Sequence, residues 1–286
     1  VSIVAGTLYV VATPIGNLGD LSPRAREVLA AVAMIAAEDT RHSRQLLRHF
    51  GIDKPCVALH EHNERGQVEQ LVERLRAGQS LALVSDAGTP LISDPGYHLV
   101  RAAHRAGCRV AAVPGPSAAI AALSVSGQSA ERFVFEGFLP MKPAARAQRL
   151  DFLRTETRTL VFFEAPHRVV ETLEAMAQTF GPDREVTYVR ELSKLYETVR
   201  LTVLGELLEW VRGDAAQQKG EIVIVVRGTA AEIPAGQAAA AADTLQILLG
   251  ELPLKQAVSL AAKLTGMQRN RLYETALRLQ QGREPE

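Results

Sequence analysis

The sequence predicts an α/β fold in two domains, 1–118 and 119–229, followed by a helix-turn-helix-like tail over 240–286. Three observations lead there. Short Val/Ala/Leu runs alternate with helix-period segments through the first part of the chain. From about residue 125 the apolar runs become richer in aromatics and alternate with polar residues. From 252 onward only helical periodicity remains. The length of 286 residues also exceeds one ordinary core.

In chain order, T-L-Y-V-V-A-T-P (7–14) reads as a strand, and Ser22-Pro23 supplies the N-cap and first-turn proline of a helix. M-I-A-A-E (34–38) is a second strand, and a helix after Thr40 stops at Gly51. P-C-V-A-L-H, a helix from about Gly66 to Ala77, S-L-A-L-V-S, the helix Y-H-L-V-R-A-A-H-R-A-G and R-V-A-A-V-P-G continue the alternation. Near-continuous apolar strands separated by helices indicate a mostly parallel sheet covered on both faces. After the small-residue helix S-A-A-I-A-A-L-S-V (117–125), the runs R-F-V-F-E-G-F, T-L-V-F-F-E-A, E-V-T-Y-V-R-E-L and E-I-V-I-V-V-R-G fit a mixed sheet. The Ala-rich stretch 230–243 reads as a linker or frayed helix. In the tail, two helices meet at Gly266. Lys255, Lys263, Arg269, Arg271, Arg278 and Arg283 face a single acid, Glu274, over 252–283.

Formal net charge is zero, so nothing in the bulk field draws in a polyanion, and any such site is local. No apolar run reaches the roughly 18 residues of a membrane span, and the first residues lack a signal-peptide pattern. Cys56 and Cys108 lie in unrelated segments without metal-ligand spacing, which points to a reduced, cytoplasmic protein. His60 and His62 in H-E-H-N read as a solvated strand end rather than a metal site. Phosphate-loop, H-E-x-x-H and G-x-S-x-G patterns are missing.

Four loops at strand C-termini carry the functional reading, since open α/β sheets place ligands there. T-P-I-G-N-L-G-D (13–20) has G-x-x-G but no dinucleotide fingerprint. E-D-T-R (38–41) sets two carboxylates and an arginine where substrate arrives, or serves as a cap with a surface ion pair. S-D-A-G-T-P-L-I-S-D-P-G (85–96) packs two glycines, two prolines and two aspartates into twelve residues. Gly88 allows close backbone approach to a ligand; the alternative is a tight turn with Asp86 and Asp94 as caps. V-P-G-P-S-A-A (113–119) opens a helix at Ser117, which either caps it or touches ligand. The residues alone thus support a two-domain α/β small-molecule enzyme.

Taken together and in register, these loops with F-E-G-F-L-P, F-F-E-A-P-H-R, R-E-L-S-K-L-Y-E and K-G-E-I-V-I-V-V resemble the tetrapyrrole methylase superfamily. More narrowly they resemble its ribosomal RNA small subunit methyltransferase I family. The chain departs from the usual pattern at Ala165, where serine is expected, and at Ser193, where threonine is expected.

The resemblance implies a homodimer whose two α/β domains enclose S-adenosylmethionine in a cleft. It implies methylation of the ribose 2′-oxygen of a cytidine in 16S ribosomal RNA, free or in the small subunit. Carried over by position, Pro14, Ala87, Gly88, Thr89, Ile92, Ser117 and Ala118 contact the cofactor, with Phe163, Glu164 and Leu192 from the second domain. Among the charged groups of the matching loops, Asp39 is expected as base or orienter and Lys194 as the cation near the 2′-oxygen. RNA phosphates are assigned to Arg41, Arg44, Lys263, Arg269 and Arg271, with Arg48, Lys142, Arg146 and Arg149 as further contacts. Two other functions fit less of the pattern: methylation of a corrin-like or porphyrinoid molecule, and a ligand-sensing nucleic-acid-binding regulator.

Overall fold

The structure, a computed structural model, describes residues 3–59, 64–229, 235–267 and 269–281. The chain forms two compact units, Val1–Thr229 and Ala230–Glu286.

The first unit begins with a five-stranded sheet of β1 (Thr7–Val11), β2 (Met34–Ala37), β3 (Cys56–Ala58), β4 (Leu81–Val84) and β5 (Arg109–Val113). Its order is β3-β2-β4-β1-β5, and every pairing is parallel. Helices α1 (Pro23–Ala31), α2 (Thr40–His49), α3 (Glu64–Arg76) and α4 (Tyr97–Arg105) alternate with the strands. The period-2 direction of strand side chains divides each strand between two cores. Tyr9, Val11, Ala82 and Val84 pack with Val28 and Leu29 of α1 and Leu47 of α2. Leu8, Leu81 and Leu83 pack with Leu71 and Leu75 of α3 and Leu99 of α4. Ser22 caps α1 by accepting from the Ala25 N–H at 3.1 Å, with Pro23 in the first turn.

A second sheet comprises β6 (Phe133–Phe138), β7 (Thr159–Glu164), β8 (Glu185–Arg190), β9 (Thr198–Val203) and β10 (Ile222–Val226), in the order β6-β7-β10-β8-β9. β6 pairs with β7 in parallel and the remaining pairs are antiparallel, giving the mixed sheet the aromatic alternation predicts. The edge strand β9 is not among the strands read from the sequence. On one face, α6 (Pro143–Leu153), α7 (Val169–Phe180) and α8 (Leu204–Gly213) bury Phe162, Tyr188 and Ile224 beneath Leu150, Leu173, Met176 and Leu207. The other face receives α5 (Ala118–Val125), whose Ala119, Ala122 and Leu123 pack on Val161, Val189, Val223 and Val225. A helix that leaves the first sheet therefore lies on the second. Its small residues permit that close approach.

The second unit consists of α9 (Ala235–Glu251), α10 (Leu254–Thr265) and α11 (Arg269–Gln281) around Leu245, Ala257, Val258, Ala261, Leu272 and Ala276. Of the two readings of the Ala-rich stretch, the helical one holds from Ala235 onward, where the chain enters α9 and Ala241 and Leu245 give it a buried face; residues 230–234 lie outside the described residues. α10 stops at Gly266, in the left-handed conformation with its N–H on the Ala262 carbonyl at 3.0 Å. Among the described residues, no helix is long and apolar enough to cross a membrane.

Phe162 is fully buried in the larger core of the second sheet. Phe162→Ala is expected to cost about 3–5 kcal/mol in urea unfolding, the range for truncating a core phenylalanine.

Candidate active site

The loops at the C-terminal ends of β1, β2, β4 and β5 meet the ends of β6 and β7 and the start of β10 around a cavity of about 420 Å³. This is within the usual volume of small-molecule sites, roughly 300–1,000 Å³. The Ser85–Gly96 loop supplies one wall through Asp86, Ala87, Gly88, Thr89, Ile92, Ser93 and Asp94.

That wall is pinned on three sides. Thr13 and Gly88 exchange both backbone hydrogen bonds, at 2.9 and 3.1 Å. Asp86 accepts from the Asp39 N–H at 3.0 Å, tying in the loop after β2. The Thr89 hydroxyl donates to the Pro116 carbonyl at 2.9 Å, tying in the loop after β5. Gly88 has φ +81°, and a Cβ there would lie 3.3 Å from Ile15 Cγ2. With its N–H and carbonyl both used on Thr13, its contribution to the cavity is close approach.

The sequence treats Asp86 and Asp94 alike, and the structure separates them. Asp86 is a staple. Asp94 is pushed up to about 6, mainly by burial, with a hydrogen bond from Ser85 opposing and the charge of Asp86 adding to the rise. Glu38 is also raised, first by burial and then by Asp94 and Asp86. These three carboxyls line the cavity with Glu221, and none of the described lining residues is Lys, Arg or His. Ile92 and Phe138 expose large apolar surface at the same place. An acidic wall beside apolar patches suits a ligand with a cationic centre and an apolar body, and it repels phosphate.

Eight of the ten expected cofactor positions line this cavity: Ala87, Gly88, Thr89, Ile92, Ser117, Ala118, Phe163 and Glu164. Ser117 occupies the N-cap of α5 without a side-chain capping bond and lines the cavity. The Glu164 carboxylate turns into the core. It accepts from Thr172 Oγ1 at 2.5 Å and from the Ala165 N–H at 2.7 Å, and pairs with Arg168 at 3.4 Å. Pro14 lies instead in a neighbouring cavity, and Leu192 packs among the apolar residues between α5 and the second sheet. Glu191 and Ser193 flank Leu192 in left-handed conformations, and sequence spacing does not reveal that turn. Asp94, Glu38, Phe138 and Gly220–Val223 complete the walls; the last were signalled only by the K-G-E-I stretch at the head of β10.

Asp39 caps α2, accepting from the Arg41 N–H at 2.8 Å, and holds the Arg41 guanidinium at 2.7 Å. The Arg41 side-chain hydrogen bond, followed by its N–H, lowers the Asp39 pKa to about 2. Lys194 crosses Gly16, where an added Cβ would collide with its side chain, and its ammonium contacts Glu191 at 2.9 Å and Glu221 at 3.2 Å. Burial alone would lower its pKa, but the two carboxylates outweigh burial and the net shift is upward. Ser193 donates to Asp20, joining this turn to the loop after β1. Arg44, Arg48, Lys142, Lys263 and Arg269 are exposed, and Arg271 lies on α11. Arg146 does not reach a surface. It shares the buried face of α6 with Leu150 and Leu153 and pairs with Glu171 at 3.2 Å, which removes it from the expected phosphate contacts. Arg149 is bound to Glu136 through two nitrogens. His60 and His62 lie outside the described residues.

Two sheets with surrounding helices, whose loop ends close on an acidic, partly apolar cavity of small-molecule size, define the architecture of this α/β protein. The sequence matches the family described as Tetrapyrrole (Corrin/Porphyrin) Methylases over residues 7–208, and the RsmI C-terminal HTH domain over residues 235–280. It is 54% identical over 279 residues to the Ribosomal RNA small subunit methyltransferase I of Pseudomonas aeruginosa, covering 96% of this chain and 98% of that one. The protein of the same name from Escherichia coli O157:H7 is 51% identical over 278 residues, 96% of each chain. Among solved structures, the methyltransferase CobJ shares the fold at TM-score 0.59 and 17% identity, over 79% of this chain and 95% of its own. Diphthine synthase does so at TM-score 0.57 and 17% identity, over 77% and 89%. The chain belongs to the tetrapyrrole methylase family and, within it, to the ribosomal RNA small subunit methyltransferase I branch.

The raised Asp94 sets a pH test. The fold favours its protonated form, a contribution fully present below about pH 4 and lost as pH rises through about 6. Asp94→Asn is therefore expected to melt higher than the parent at pH 7 and level with it near pH 4.

Proposed function

We propose that this methyltransferase uses S-adenosylmethionine to methylate the ribose 2′-oxygen of a cytidine in 16S ribosomal RNA. The observation that carries the reading is the acidic, partly apolar cavity between the two sheets, in a chain that also ends in a separate helical unit with exposed Lys255, Lys263 and Arg269. Residues 1–118 supply one wall and 119–229 the other. Ala87–Thr89, Ile92, Ser117, Ala118 and the backbone around Phe163–Glu164 hold the cofactor, which brings the transferable methyl group. A sulfonium fits carboxylate-lined walls that exclude phosphate.

A ribose hydroxyl is a poor nucleophile until it loses its proton. Asp94 faces the cavity, is ionised above about pH 6, and accepts that proton. Asp39, held ionised down to about pH 2, is too weak a base for this and orients Arg41 toward RNA. Lys194 supports the wall at Glu221 and adds positive potential behind it. Arg41, Arg44, Lys263, Arg269 and Arg271 take RNA phosphates.

Homodimerisation is part of the reading. Ile120 and Val125 of α5 and Leu195, Tyr196, Val199 and Leu201 on and before the edge strand β9 expose apolar side chains. Exposed patches of this kind mark interfaces. A cytoplasmic location agrees with free thiols at Cys56 and Cys108.

Incubation with methyl-labelled S-adenosylmethionine and either assembled small subunits, naked 16S RNA or a porphyrinoid tests the reaction. Label at a cytidine 2′-oxygen is expected, whereas label only on the porphyrinoid refutes the reading. Asp94→Asn should slow single-turnover methylation about 100-fold or more and remove the rise in rate through pH 6. Leu201→Glu should yield monomers in sedimentation velocity; a parent that already sediments as a monomer refutes the dimer.

A further inference from the structure

A second cavity, of about 290 Å³, adjoins the first and shares Asp86 with it. One side is the loop after β1, with Pro14, Gly16 and Leu18. The other is a single face of α2, where His42, Gln45, Leu46 and His49 recur at helical spacing. The two cavities differ in charge. α2 reads T-R-H-S-R-Q-L-L-R-H and contains no acid, so exposed Arg44 and Arg48 stand beside the face that lines the cavity.

Resting on the methyl-transfer reading above, we propose that this second cavity is the acceptor-nucleotide pocket, which takes one unstacked pyrimidine of the RNA and holds its edge through Gln45. An enzyme acting on one nucleotide of structured RNA must lift it from its stack, hold its faces against apolar or aromatic groups, and read its hydrogen-bonding edge. Pro14, Leu18 and Leu46 supply apolar faces. The Gln45 amide offers a carbonyl to the cytosine 4-amino group and an N–H₂ to its ring acceptors; turned over, the same amide also pairs with uracil, so Gln45 holds a pyrimidine edge without choosing between the two. Phosphates on either side of the lifted nucleotide meet Arg44 and Arg48. Asp86 stands between the two cavities, so a ribose attached to a base in the second reaches toward the first, where Asp94 lies.

The pocket and the reaction are tested separately by comparing parent, Gln45→Ala and His49→Ala. Each is assayed with labelled S-adenosylmethionine on small subunits carrying cytidine or uridine at the methylated position, and cofactor affinity is measured by calorimetry. Gln45→Ala is expected to raise KM for the RNA about tenfold, for cytidine and uridine alike, and to leave cofactor affinity and melting temperature unchanged. His49→Ala should raise KM with little change in preference. If both variants keep the parent's KM while the parent methylates RNA, the pocket assignment is overturned and the reaction stands. If the parent binds cofactor and methylates no RNA, the reaction reading falls and takes the pocket with it.

Discussion

The active cavity exists because the Ser85–Gly96 loop is bonded to three other loops at once. Its backbone pairs with Thr13, its Asp86 holds the Asp39 N–H, and its Thr89 holds the Pro116 carbonyl. Loops at the ends of parallel strands otherwise have no reason to stay in register with one another. Here, fixing one fixes the ends of β1, β2 and β5 around it. The prolines and glycines of the loop serve that purpose: they restrict the path of the chain to one that reaches all three neighbours. The opposite wall is placed by α5, which starts at Ser117 beside the cavity and buries Ala119, Ala122 and Leu123 on the second sheet.

The neutral net charge conceals an ordered division. Carboxyls collect in the cavity, where burial and mutual repulsion raise Glu38 and Asp94, while α2 and the exposed helices of the tail carry the cations. Within the first unit, the acidic cavity and the basic helix α2 thus present opposite potentials, which suit ligands of opposite charge.

How far the sequence disclosed this follows from what local pattern encodes. The parallel strands were legible because buried runs such as L-A-L-V have no polar alternative, and the ligand-facing loops because proline and glycine mark constrained turns. β9 leaves no such mark, since an edge strand with exposed Val199 and Leu201 has no buried run to announce it. Arg146 shows the converse, a charged residue on the inward face of α6 that composition assigns to solvent. The surroundings of Leu192, between two residues in left-handed conformations and packed against the cluster under α5, have no signal in local sequence spacing. Asp94 and Asp86 sit in the same loop with the same side chain, and only tertiary surroundings tell them apart: Asp86 accepts from the Asp39 N–H, while burial raises Asp94.

Among the described residues, four non-glycine residues occupy the left-handed region, and all lie in two loops: Leu91 and Ser93 in the first wall, Glu191 and Ser193 in the turn that carries Lys194. Each costs on the order of 1 kcal/mol, which the surrounding packing must offset. The shape of the cavity is thus borrowed from the stability of the whole unit. A substitution that loosens a distant core would be felt first as slackened loops and weaker ligand affinity, well before the protein unfolds, so binding is a more sensitive gauge of the integrity of this fold than its melting point.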